Sequence, residues 1–263
     1  VNPFDTNLLW VFEARKIPGG ARRIVDAAKS MGYGLAAKVF DGNPADDGDY
    51  FTAPFAEIAS LCKAEGVPLV GWCYLYGDKF GNLAKEAAEV VRWLRMGVPL
   101  VLDIEGEWEV SAARVWAQIL SAQVLAEFPQ AKSMLSFAPF WNMTHHKAYP
   151  AAELSSLCSA VMPQDYFDLG RKTTYAKQRD MVETSYREFA PYGLPVYPIG
   201  EFGKRGIGDV AAFLSLVGGK PHGWWLLDGW QDSDEMKYLA AIREERKTVQ
   251  KFERIAQIVK EVK

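Results

Sequence analysis

Val98-Pro-Leu-Val-Leu-Asp103-Ile-Glu105-Gly-Glu107-Trp108-Glu109 opens as an apolar run and ends with four acids in seven positions. Its apolar half does not alternate, as expected of a parallel strand covered on both faces. Carboxylates ending such a strand are costly to bury unless they line a solvated or paired site. Asp103 and Glu105 are two residues apart, so an extended chain points both to one side.

The same unit, a short apolar run followed by an amphipathic one, recurs along the chain. Strands are predicted at 7–13, 34–41, 67–76, 98–105, 132–139, 160–166, 194–201 and 223–228. Between them, helices are predicted at 20–31, 52–66, 82–96, 111–128, 151–159, 173–189, 208–217 and 233–248, with an extra terminal helix at 252–262. Ala21, Ile24, Ala27, Ala28 and Met31 form the buried stripe of the first helix. Thr52, Asn82 and Ser111 are the expected N-caps. Eight strand–helix units with no break in composition predict an α/β fold, a (β/α)8 TIM barrel over 1–263 as a single domain. An open doubly wound sheet would bring a glycine-rich phosphate turn after strand one. Gly19-Gly20 does not match that pattern.

The 263 residues are 49% hydrophobic and 24% charged, with a formal net charge of −3. That excludes an electrostatic case for a nucleic-acid partner. No apolar run has membrane-spanning length, and none resembles a signal peptide. Synthesis in the cytoplasm is expected, with export by another route such as that of a phage-type lysin. Cys62, Cys73 and Cys158 are expected to be buried thiols.

Barrel active sites lie at the C-terminal strand ends. There the sequence places Glu13, then Lys38 and Asp41, Tyr74 and Tyr76, Asp103 and Glu105. Trp108 and Trp141 follow strands four and five, and Gln164, Asp165 and Tyr166 end strand six. Glu201 ends strand seven, and Asp228 and Trp230 end strand eight. This rim is rich in carboxylates and aromatics. Glycosidic cleavage needs one carboxyl group to protonate the leaving oxygen and a second to stabilise or attack the anomeric carbon. Aromatic faces give sugar rings apolar contact. Glu105, nearer the opening, is the expected general acid. Asp103, deeper, is expected to stay ionised and orient it. Trp108, Trp141 and Trp230 are candidate sugar platforms. Neither a cofactor nor a metal is expected: His145-His146 lacks ligand spacing, and Asp46-Asp47-Gly-Asp49 lacks the closing Glu of a calcium loop. Lys38 is the sole candidate Schiff-base lysine of an aldolase-like alternative.

Leu102-Asp103-Ile-Glu105 resembles the Asp-x-Glu of family 25 lysozymes and the end of the family 18 chitinase motif. Met162-Pro-Gln164-Asp165-Tyr166 and Trp224-Trp225-Leu-Leu-Asp228 are loosely similar to later segments of those barrels. The chain departs from family 25 at Trp10-Val-Phe-Glu13, and Val98 to Leu102 lacks the upstream aspartates of family 18. The resemblance implies a glycoside hydrolase acting on a carbohydrate polymer of amino sugars, peptidoglycan ahead of chitin. Pro198-Ile-Gly-Glu201-Phe-Gly203 resembles the strand-seven segment of retaining barrel glycosidases, in which Glu201 would be nucleophile to Glu105. A catalytically silent barrel that binds carbohydrate or serves an assembly is the remaining expectation.

Overall fold

The computed structural model describes residues 2–42, 49–80, 82–166, 175–201 and 207–225, together with 237, 240, 241 and 243. Along the chain run β1 (Leu8–Val11), α1 (Gly20–Met31), β2 (Gly34–Asp41), α2 (Thr52–Glu65), β3 (Leu69–Leu75) and α3 (Leu83–Arg95). Then follow β4 (Leu100–Ile104), α4 (Ala113–Glu127), β5 (Leu135–Ala138), α5 (Ala151–Leu157) and β6 (Ala160–Val161). α6 (Tyr175–Phe189), β7 (Ile199–Glu201), α7 (Ile207–Val217) and β8 (Gly223–Trp225) complete the described elements.

All strand pairs are parallel, in the order β6-β5-β4-β3-β2-β1-β8-β7. The two end strands meet through bridges between Val161 and Val196 and between Gln164 and Ile199. The Val161 amide donates to Pro195 O at 3.0 Å, and the Tyr197 amide to Val161 O at 2.9 Å. The eight strands therefore form a TIM-barrel-like ring. β6 and β7 are much shorter than the predicted 160–166 and 194–201. Pro163, Pro195 and Pro198 have no N–H to give a ladder, so pairing survives there only as single bridges.

Side-chain alternation sorts the strands into two cores. Leu100, Leu102 and Ile104 of β4 face the helices in one large cluster. Val101 faces inward with Leu8, Trp10, Ala36, Val70, Trp72, Ala138, Met162 and Ile199 in a second. Indole rings fill the inner core: Trp10 and Trp72 lie 5.4 Å apart, and Trp225 is 5.9 and 5.5 Å from them. Gly223 makes room for this, since a Cβ there would come within 2.8 Å of Trp10 Nε1.

The helix starts differ from expectation. Thr52 is already helical with Phe51 before it, and Ala112 rather than Ser111 precedes α4. Asn82 holds the expected N-cap position but makes no side-chain capping bond. Its carbonyl instead accepts from the Lys85 and Glu86 amides, each at 2.9 Å. α1 ends in left-handed Gly32, and the Arg243 guanidinium donates to Ser30 O at 2.8 Å and to Lys29 O. A cation on the last carbonyls of a helix complements its dipole. The predicted terminal helix at 252–262 lies outside the described residues, as does most of 233–248. No described helix is long and apolar enough to cross a membrane.

Candidate active site

Inward alternation carries through to the C-terminal strand ends. Asp41, Tyr74, Asp103 and Ala138 stand in one register row across β2 to β5. Lys38, Trp72, Val101 and Ser136 form another. Since Val101 faces inward, Asp103 does too, and Glu105, the first residue past β4, lines the cleft with Gln164 and Tyr166.

Asp103 is 5% exposed, and Gln164 Nε2 donates to its Oδ1 at 2.7 Å and to Ala138 O at 3.2 Å. Burial, then the charge of Glu105, pushes Asp103 well above the usual carboxylate range; Lys38 and Gln164 pull it back. Burial also raises half-buried Glu105, against the favourable groups of Gln164, Lys38 and Tyr74. Two such carboxyls are best described as a pair sharing a proton. Burial acts on both carboxyls: the deeper Asp103 is held by the Gln164 amide, while Glu105 faces the cleft.

Around the pair, Tyr74 donates to Glu107 Oε2 at 2.6 Å. Burial pushes Glu107 up, but Tyr74, its own backbone N–H and Lys79 outweigh that and hold it below the usual range. Buried Lys38 pairs with Asp41 Oδ2 at 2.6 Å. Its ammonium lies 4.3 Å from the Phe12 ring centroid, 4.6 Å from Trp72 and 5.0 Å from Phe51. Glu13 accepts from Tyr50 at 2.9 Å and pairs with Lys16 at 2.6 Å, and Lys16 lowers it most. A cleft of about 380 Å³ opens beside Glu105, lined by Phe140, Trp141, Gln164, Tyr166, Lys177 and Met181. That is the size of a small-ligand pocket. Tyr166 stacks on Trp225 at 5.9 Å, and Trp225 lies across from Glu201 in register.

Two predicted site residues lie elsewhere. Trp108 is no sugar platform: it is fully buried, gives its Nε1–H to Leu75 O at 2.8 Å and packs 5.8 Å from Trp116. A 3-10 turn at Gly106–Trp108 breaks the strand's alternation and drives the ring under the rim. Asp165 points away from the mouth. It is 0% exposed, and Ser185 Oγ, on α6, donates to its Oδ1 at 2.5 Å. Asp228 and Trp230 lie outside the described residues. His146 stacks on Phe140 at 4.2 Å and meets Glu109 through Nδ1 at 2.7 Å. Ser136 is buried and donates to Ala160 O at 3.1 Å. Phe140, Lys177 and Met181 were not singled out by sequence, and Trp225 entered only within the Trp224–Asp228 resemblance. Strand-eight alternation starting from inward Gly223 was the available signal for Trp225.

Asp165 carries its own prediction. Burial raises its carboxyl to about 8, from an ordinary 3.8. The folded form binds the proton more tightly than the unfolded form. Its contribution to stability is therefore complete below pH 3.8 and is lost as pH rises through about 8. Asp165→Asn mimics the protonated state. Its melting temperature should match the parent's at pH 4 and exceed it increasingly as pH rises toward about 8. Equal pH dependence of the two proteins in calorimetry would contradict this.

No protein-family model and no curated protein sequence matches the chain. Solved structures do. A family 18 chitinase from Pseudoalteromonas aurantia is 12% identical, with TM-score 0.58 over 89% of this chain and 98% of that one. The catalytic domain of a family 18 chitinase from the fern Peteris ryukyuensis is 14% identical, with TM-score 0.59 over 90% and 99%. The fold is the one found in these chitinases. The spore cortex-lytic enzyme SleL of Bacillus megaterium is 15% identical, with TM-score 0.51 over 74% of this chain and 50% of that one. An aldolase also superposes, at 12% identity and TM-score 0.50 over 95% and 98%. At these identities the likeness establishes the barrel and leaves the chemistry to the site.

Proposed function

We propose that this barrel is a glycoside hydrolase acting on a carbohydrate polymer, with Glu105 as general acid and Asp103 as its proton-sharing partner. The observation that carries this is the placement of the Asp103–Glu105 pair beside an aromatic-lined cleft at the C-terminal strand ends. One carboxyl at the opening reaches a leaving oxygen, while Gln164 fixes the deeper one. Trp141, Tyr166 and Trp225 offer faces for a sugar ring, and Tyr74 and Glu107 offer polar edges. Bound sugar excludes water from the mouth and raises Glu105 further, which keeps the acid protonated when it is needed. An amino-sugar polymer is the proposed substrate class, peptidoglycan ahead of chitin. The Asp-x-Glu resemblance supports it, and so do the chitinase and cortex-lytic neighbours. Exposure of purified protein to cell walls, chitin oligomers and β-glucans tests this. Release of reducing ends from an amino-sugar polymer is expected, and binding without turnover would favour the silent barrel.

A second reading has one observation in its favour. Glu201 is the register partner of Trp225, on which Tyr166 stacks, and Tyr166 lines the same cleft as Glu105. If Glu201 is the nucleophile, Glu201→Gln abolishes turnover and the first-formed product retains its anomeric configuration by NMR. Unimpaired Glu201→Gln would leave Asp103–Glu105 as the working pair.

A further inference from the structure

An aromatic track leaves the barrel on the β3 side, away from the cleft beside Glu105. Tyr74 is the register partner of Asp103. Its ring lies 4.9 Å from Tyr76, and Tyr76 lies 5.4 Å from Phe80. The rings meet at 58° and 60°, tilted and edge to face, and Phe80, the outermost, is 61% exposed and presents its surface to solvent. The track is fixed from beneath. Buried Glu86 accepts from the Tyr76 amide at 2.8 Å and the Gly77 amide at 3.0 Å. Gly42, at φ +61°, leaves the space that the Tyr76 ring fills: a Cβ there would come within 2.3 Å of it. One edge of the track is polar, where Glu107 accepts from Tyr74 and pairs with Lys79 at 3.4 Å. The Lys79 ammonium sits 5.4 Å from the Phe80 centroid.

Aromatic faces with charged groups along one side suit a chain of sugar rings, apolar on their faces and hydroxylated at their edges. From this arrangement we infer that Tyr76 and Phe80 form a distal subsite for the extended part of a glycan whose reacting end lies at Asp103 and Glu105. This rests on the glycosidase reading and adds a prediction to it: the protein senses polymer length through Phe80.

The test is calorimetric binding of N-acetylglucosamine oligomers of two and six residues to the protein carrying Glu105→Gln. The hexamer is expected to bind more tightly than the dimer. Adding Phe80→Ala should reduce the hexamer-to-dimer affinity ratio by about tenfold. Phe80→Trp should preserve that ratio, and Gly42→Ala, which displaces Tyr76, should reduce it as Phe80→Ala does. If the hexamer still outbinds the dimer equally well after Phe80→Ala, the subsite is wrong and the glycosidase reading stands. Equal binding of hexamer and dimer by the Phe80 protein also overturns the subsite. Absence of binding by either oligomer overturns both readings for amino-sugar glycans.

Discussion

Glu105→Gln is expected to lower kcat on a glycan by about a thousandfold while leaving KM within a few-fold of the parent. General acids at a reacting centre contribute roughly 10²–10⁴ in rate, and a thousandfold is about 4 kcal/mol of barrier. Glutamine keeps the size of the side chain and a donor, so the fold and the cleft persist; only the transferable proton is lost. Two readouts separate this from a merely structural lesion. An aryl glycoside whose phenol leaves without protonation should lose far less rate than the polymer. The parent's activity should fall as pH rises through the raised titration of Glu105, and the variant's residual activity should lack that limb. Full activity of the variant on the polymer would remove Glu105 from the mechanism.

The barrel was legible in the sequence because each strand–helix unit obeys the same burial logic. The bounds of β2 and α1 match the predicted 34–41 and 20–31, since Gly32 and Gly34 punctuate runs buried on one or both faces. The caps were less legible. Thr52 and Ser111 have the right chemistry for a cap, but each stands one residue from the position the backbone uses. The prolines at 163, 195 and 198 announced the shortened ladders, yet apolar content alone extended the predicted strands across them. At the site, strand parity was used sparingly. It was applied to Asp103 and Glu105, whereas Lys38, Tyr74 and Gln164 were named only for standing at strand ends. Applied strictly to Gln164-Asp165-Tyr166, it would also have sent Asp165 outward. Trp108 was misplaced because parity ends at Ile104, where the chain leaves the strand and turns.

Trp72→Ala should produce the largest loss of stability among changes near the site. The indole is 1% exposed, donates to Val11 O at 3.0 Å and packs against Trp10, Trp225 and Phe12. Truncating such a side chain removes its transfer free energy and leaves a cavity that its neighbours fill only in part. The expected cost is about 3–5 kcal/mol. For a chain of this size that corresponds to a fall in melting temperature of roughly 10 °C. Trp108→Ala, which empties an equally buried site outside the ring, gives the necessary comparison. Both variants should melt early, but their effects on glycan binding should differ. Trp72 lies beneath the Lys38 ammonium and beside Trp225, so its loss lets the charged floor and a candidate sugar face shift together. Trp108 makes its hydrogen bond to the backbone of β3 and its ring contact with α4. At a temperature where both variants are folded, Trp72→Ala should weaken oligosaccharide binding more than Trp108→Ala. If the two weaken it equally, the inner indole cluster supports the barrel alone and has no part in shaping the sugar site.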